Sequence, residues 1–178
     1  MGVRLVEFRA EDVGRIEPWF DDAETQDRLG GRDWIRRMPS LLELTIGDEF
    51  RGKLVTGRRM WLALDEAGTP VAFLDAEMYN RYSAWDGSDW DHPVVSDVVE
   101  LPSMGFTLVV DPARRRRGYG TATIRGIVAH PDVSYVRLFF GSAEADNIAS
   151  IRCLMKAGFR LRSPTPDFEG MLHYSLER

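Results

Sequence analysis

Val109-Val110-Asp111-Pro112-Ala113-Arg114-Arg115-Arg116-Arg117-Gly118-Tyr119-Gly120-Thr121-Ala122 decides how this chain is read. An apolar strand runs into an Arg-rich turn carrying Arg-x-x-Gly-x-Gly, and a helix follows. A turn of this kind presents successive backbone N–H groups at a helix N-terminus. Those donors and the helix dipole together bind a phosphate or pyrophosphate. Gly118 and Gly120 carry no Cβ, so a bulky anion can approach the backbone closely. A second segment follows further on, Asn147-Ile148-Ala149-Ser150-Ile151-Arg152-Cys153-Leu154-Met155-Lys156-Ala157-Gly158-Phe159. The pair, in this order and spacing, is far more specific than either alone.

The two segments resemble the acetyl-CoA-binding motifs of the GNAT superfamily of N-acetyltransferases. Arg115-x-x-Gly118-x-Gly120 matches that family's pyrophosphate loop, and Asn147 to Phe159 matches its later Asn-containing helix ending in Gly-Phe. The wording is most similar to the aminoglycoside 6′-N-acetyltransferase branch. The resemblance covers about residues 103–163. It implies a GNAT-like α/β fold: a central twisted mixed sheet of six to seven strands flanked by about four helices. It further implies that the parallel strands 104–110 and 135–140 splay apart, with the pantetheine arm in the gap. Acetyl-CoA is the implied co-substrate. The residues carried over to hold it are Leu108, Val109, Val110, Arg115, Arg116, Arg117, Gly118, Tyr119, Gly120, Thr121, Asn147 and Ser150. Asn147 has two compatible readings, helix N-cap and, by resemblance, a hydrogen-bond partner near the pantetheine arm.

Composition sets the frame. At 178 residues, the chain reads as one domain, 1–178, with a sizeable core. With 44% apolar and 29% charged residues it is of the soluble globular class. No apolar run is long enough to span a bilayer, and Met1 opens no secretory pattern. Cys153 is the single cysteine, which excludes an internal disulfide and fits a cytoplasmic protein. A net charge of −5 argues against a general nucleic-acid binder. The run Arg114–Arg117 is short and set in a strand–turn–helix, so anion binding is preferred there. His92, His130 and His173 are scattered without metal-ligand spacing, and no metal site is expected. Sequence leaves the oligomeric state open between monomer and homodimer.

Along the chain, Val3–Phe8 has strand character, Glu11–Phe20 reads as a short helix and Arg32–Phe50 as a longer one that Pro39 kinks or divides. Met60–Leu64 and Val71–Tyr79 read as strands, Asn80 to about Val99 as a polar loop, and Met104–Val110 as a covered central strand. Gly118–Ala129 is a helix, Tyr135–Phe140 a buried strand, and the helix from Asn147 stops at Gly158. Short strands near 159–162 and 171–176 close the chain. The unit 104–140 is a βαβ crossover, so its strands are parallel and a ligand binds beyond their carboxyl ends.

Acetyl transfer to an amine needs a thioester held close to it and a route for the ammonium proton, whose pKa is about 10.4 in a lysine-like amine. It also needs a donor for the oxyanion. Period-2 alternation puts Val71, Phe73, Asp75, Glu77 and Tyr79 on one face of the strand 71–79. That face either lines a wet cleft or meets solvent. On the first reading Asp75 and Glu77 are base or amine-binding residues, with Glu77 preferred, and Tyr79 joins the acceptor site. Glu100, just before the strand 104–110, is a further base candidate, the alternative being an exposed loop carboxylate. Many GNAT members carry a Tyr acid in the second motif helix, and here that position is Leu154. Cys153 reads as a small apolar side chain.

Trp85, Asp86, Asp89, Trp90 and Asp91 form an acidic, aromatic loop suited to a cationic ligand such as an amino sugar or polyamine. The plainer alternative is a solvated loop whose tryptophans pack on the core. The leading expectation is therefore an acetyl-CoA-dependent N-acetyltransferase. It would transfer acetyl by direct attack on the thioester to a primary amine of a small cationic acceptor, aminoglycoside-like or polyamine. A catalytically silent acyl-CoA-binding or sensor domain is the alternative, motivated by Leu154. A dinucleotide site is disfavoured because position 123, where its third glycine belongs, is Thr.

Overall fold

The computed structural model describes residues 2–42, 46–87, 91–92 and 94–178. In chain order the elements are β1 (Arg4–Glu7), α1 (Val13–Ile16), α2 (Ala23–Leu29), α3 (Arg32–Arg37), β2 (Glu49–Phe50), β3 (Lys53–Leu64), β4 (Pro70–Tyr79) and β5 (Tyr82–Asp86). Then come β6 (Val94–Val99), β7 (Ser103–Val110), α4 (Tyr119–Val128), β8 (Leu138–Glu144), α5 (Ile148–Ala157), β9 (Arg160–Leu161) and β10 (Met171–Glu177). No helix among the described residues is long and apolar enough to cross a membrane.

The main sheet has eight strands in the order β1-β3-β4-β7-β8-β10-β9, with β2 on β3, and β5 and β6 pair separately. Among the described residues of the main sheet only β7 and β8 pair in parallel, joined by α4 as the βαβ reading requires. Alternation along β4 builds two cores. Leu74, Ala76 and Met78 pack with Ile124, Ile127 and Leu154 from α4 and α5. Phe73 packs on the other face with Met60, Leu62 and Val109, covered by Phe8, Ile16, Phe20 and Ile35. Asp75 and Glu77 share that second face.

Four readings are corrected. The expected helix 32–50 is α3 followed by a 3-10 turn, Met38–Leu41, where Pro39 withholds the donor a continuing helix needs. Leu44 lies outside the described residues. The expected loop 80–99 contains the β5–β6 hairpin, irregular between Tyr82 and Ala84, which hides its alternation. The strand expected at 135–140 runs from Leu138 to Glu144, while Tyr135 is exposed. The main sheet exceeds six to seven strands because β2 adds to β3, and α2 was not foreseen.

The start of α4 follows from its glycines. Gly118, its N-cap, has φ 85°, a left-handed conformation that glycine adopts without strain. Gly120 is needed for space: a Cβ there would lie 2.9 Å from Cys153 Sγ and 3.3 Å from Val110 Cγ2. Its lack of a Cβ thus also serves the close packing of α4 on β7 and α5. Gly120→Ala should destabilise by about 1–3 kcal/mol through overpacking. Urea unfolding of Gly120→Ala and of Gly120→Ala/Cys153→Ala checks this; the second should recover part of the loss, because the thiol is the nearest obstacle.

Candidate active site

The site begins where β7 and β8 part. Their ladder holds at Ser103–Leu138, Met104–Phe139 and Gly105–Phe140 and goes no further. Beyond that rung β7 continues to Val110 and β8 to Glu144. Residues 105–108, in the middle of the sheet, are accordingly half-buried. Asp111 donates to Val71 on the β4 side, and the Pro102 carbonyl accepts from Leu138 on the β8 side. Alternation then turns the N–H and C=O groups of Leu108 and Val110 toward the gap and those of Val109 toward β4. On the other bank, the His173 carbonyl accepts from Arg162 on the β9 side. Its register partner Ser142 is then a pair without mutual hydrogen bonds, and the Ser142 backbone faces the gap. Two banks of free backbone groups thus line an opening between parallel strands.

At its wide end stands the N-terminus of α4. No side chain caps it, whereas Asp22 caps α2 through Thr25 N at 3.0 Å and Asn147 caps α5 through Ser150 N at 3.1 Å. Of the four arginines before it, two are held within the protein. Arg114 pairs with Asp65 at 2.9 Å. Arg115 pairs with Asp22 at 2.6 Å and Glu24 at 2.8 Å. Arg116, with φ 62°, and Arg117 are exposed and make no ion pair among the described residues. Tyr119 is buried and Thr121 Oγ1 lies 3.6 Å from Cys153 Sγ. A groove of about 600 Å³ runs from this end along α4, bordered by Gly118, Thr121, Arg125 and Lys156. Cationic side chains, uncapped donors and open space coincide here, which fits a phosphorylated ligand.

Beside the gap, β4 presents its acidic face. Glu77 is the register partner of Gly105 and Asp75 that of Thr107, so both carboxylates stand one strand from the point of parting. Arg58 of β3 grips them: its Nε and Nη2 donate to Asp75 at 2.9 and 2.7 Å, and Nη1 to Glu77 at 3.1 Å. The Tyr79 hydroxyl donates to the other Glu77 oxygen at 2.6 Å. The side chain of Asp75 is 9% exposed and that of Glu77 26%. Burial pushes the Asp75 carboxyl up against the opposing pull of Arg58, and raises the Tyr79 phenol strongly. Glu77 is therefore the reachable carboxylate of the pair.

Sequence reasoning missed Arg58 and Lys53. Arg58 lies two residues before Met60 on the same face, so extending the alternation of β3 backwards would have placed it opposite Asp75 and Glu77. Lys53 is only 4% exposed. Its ammonium lies 5.1 Å from the Tyr79 ring centre, 5.6 Å from that of Phe140 and 5.4 Å from that of Phe50, and it donates to the Ser83 carbonyl at 3.3 Å.

Of the other expected residues, Glu100 is exposed and paired with Arg81 at 3.0 Å. Trp85 packs edge-on to Phe168 beneath the Arg51 guanidinium. Asp86 accepts from the Ser96 hydroxyl, and Asp91 is exposed. Asp89 and Trp90 lie outside the described residues. Leu154 is buried under Gly141, so no phenol stands at that position.

No protein-family model matches the chain. A relative 37% identical over 161 residues, covering 88% of this chain and 84% of its own length, is an uncharacterized N-acetyltransferase, YfmK, of Bacillus subtilis (strain 168). The aminoglycoside acetyltransferase AAC(6′)-Ib in complex with coenzyme A and kanamycin superposes with a TM-score of 0.70 at 16% identity, over 99% of this chain and 95% of that one. A GNAT-family acetyltransferase of Bacillus anthracis superposes with a TM-score of 0.65 at 9% identity, over the same 99% and 95%. The fold is that of the GNAT acetyltransferases, and the chain belongs to the N-acetyltransferases.

Lys53 gives the site a signature in alkali. Burial first, and repulsion from Arg51 second, lower its pKa from 10.5 to about 8. Below pH 8 folded and unfolded chains are both protonated, and the folded state carries a burial penalty of about 3 kcal/mol, at about 1.4 kcal/mol per pH unit. Between about pH 8 and 10.5 the unfolded chain binds more protons, so this group makes stability rise with pH. Lys53→Met should therefore be more stable than the parent at pH 7, and the difference should shrink toward pH 10.5. Urea unfolding at both pH values measures it, and a difference independent of pH would contradict the assignment.

Proposed function

We propose that the chain transfers acetyl from acetyl-CoA to a primary amine of a small cationic acceptor, aminoglycoside-like or polyamine, with Glu77 receiving the amine proton. The observation that carries this reading is the position of Glu77: a partly exposed carboxylate, partner of the residue at which the two parallel strands separate. The pyrophosphate is held by the N–H groups of residues 118–121 with Arg116 and Arg117 beside them. The pantetheine arm lies along Leu108, Val110 and Ser142, whose backbone groups pair with its amides.

The amine approaches from the β4 side. Glu77 already accepts from Arg58 and Tyr79, one bond on each oxygen. A carboxylate has about four acceptor sites, so an ammonium can bind Glu77 without displacing either. Once its first proton has gone to Glu77, the nitrogen lone pair attacks the acetyl carbonyl, an N–C bond forms, the nitrogen gives its second proton to solvent and the C–S bond breaks. The thiolate leaves and is protonated from solvent, since Leu154 offers no acid. Correct placement supplies much of the rate, on the order of 7–11 kcal/mol in the best intramolecular cases. A cationic acceptor is supported by the partly exposed carboxylate of Glu77, by Asp86 and Asp91 on the neighbouring segment, and by the kanamycin complex of the acetyltransferase whose fold this chain shares.

Two outcomes are expected. Glu77→Gln should lower kcat by roughly 10²–10⁴ while leaving the affinity for acetyl-CoA nearly unchanged; stopped assays with thiol detection, alongside calorimetry, separate the two. A panel of aminoglycosides, polyamines and neutral amines should show release of coenzyme A thiol with the cationic members. The acceptor KM should rise with salt, because partly exposed charge pairs are screened over about 8–10 Å. A preference for neutral or anionic acceptors would overturn the charge assignment.

A further inference from the structure

The short helix α2 is held at both ends, and its two anchors belong to different banks of the gap. At its start, Asp22 and Glu24 receive the guanidinium of Arg115 at 2.6 and 2.8 Å, and Thr25 Oγ1 accepts from the same group at 2.7 Å. Arg115 sits on the turn that follows β7. At its end, Arg28 pairs with Glu144, the last residue of β8, and with Asp146 at 3.0 Å, on the way to α5. Across the described residues α2 therefore links the open ends of two strands whose own ladder stopped at Gly105 and Phe140. Arg28 Nε is also buried without a hydrogen-bond partner among the described residues.

We infer that α2 is a strap that sets the width of the gap, and that Arg115 and Arg28 are positioning residues acting through it. The inference rests on the gap being the seat of the pantetheine arm. It changes the role of Arg115: although it opens the Arg-x-x-Gly-x-Gly motif, its guanidinium holds the strap, and the phosphates are left to Arg116, Arg117 and the backbone. The anchoring side chains on the Arg115 side are between 28% and 54% exposed. Salt therefore weakens the strap, and with it the binding of a donor that has no charge of its own.

Calorimetry with two donors tests this: acetyl-CoA, and S-acetylpantetheine, which lacks every phosphate. Arg115→Ala and Arg28→Ala should each weaken both donors by the same factor, roughly three- to tenfold. Hydrogen exchange at the amides of residues 23–29 should quicken in both variants. Arg115→Lys, which keeps the charge facing Asp22 and Glu24, should recover part of the binding and protection lost in Arg115→Ala. Arg116→Ala/Arg117→Ala should weaken acetyl-CoA alone. If Arg115→Ala weakens only acetyl-CoA and leaves exchange in α2 unchanged, Arg115 is a phosphate ligand and the strap is wrong. If Arg28→Ala alters neither donor, the second anchor is wrong and the strap falls with it. Failure of the unaltered protein to bind acetyl-CoA at all would instead overturn the reading of the gap.

Discussion

The contact between Phe140 and Gly105 is the point on which the site turns. The Phe140 ring lies so close over Gly105 that a Cβ there would come within 2.7 Å of it. Glycine at 105 lets the ring settle on the last rung of the β7–β8 ladder, where it also packs against Tyr79 and Tyr82 and faces Lys53. Past this rung the strands go separate ways, and backbone groups in the centre of a sheet are left without strand partners. Such groups are normally paired, so the opening is a site of unmet hydrogen bonding. The parallel geometry adds the rest. It requires a crossover, the crossover is α4, and the right-handed connection delivers the helix N-terminus to the end of the sheet that opens.

The charges beside the gap are balanced within the protein. Two carboxylates, Asp75 and Glu77, face two cations, Arg58 and Lys53, on adjoining strands. Arg58 is bound through three of its donors, which holds both carboxylates in fixed positions. Lys53 makes no ion pair among the described residues and rests among aromatic faces. Fixed charges of this sort do not reorganise when a charged ligand arrives, which is what lets them act on a developing charge.

Much of this was legible in the residues, for identifiable reasons. Gly118 and Gly158 announce themselves because both backbones are left-handed there, at φ 85° and 102°. Asn147 caps α5 as its position before an amphipathic run implies. The acidic face of β4 followed from strict alternation. What stayed hidden depends on partners distant in sequence. Arg115 looked like an anion ligand because its motif is local, whereas Asp22 and Glu24 lie some ninety residues away. Trp85 looked like a ligand platform, yet Arg51 and Phe168 already cover its ring. The strand start at Lys53 was missed because Leu54 and Val55 are adjacent and Thr56, Gly57, Arg58 and Arg59 follow, so the segment carries no apolar alternation, and α2 because it has few apolar residues to reveal a buried stripe.

The uncapped N-terminus of α4 would couple folding to any anion that binds there. α2 and α5 satisfy their first-turn donors with their own Asp22 and Asn147, while α4 leaves the place of a capping side chain open. An anion that binds there binds only the folded chain, so mass action stabilises the protein by RT ln(1 + [L]/Kd), about 2.7 kcal/mol when the ligand stands at one hundred times its Kd. The stability of the folded chain would then rise and fall with the concentration of whatever anion fills that place.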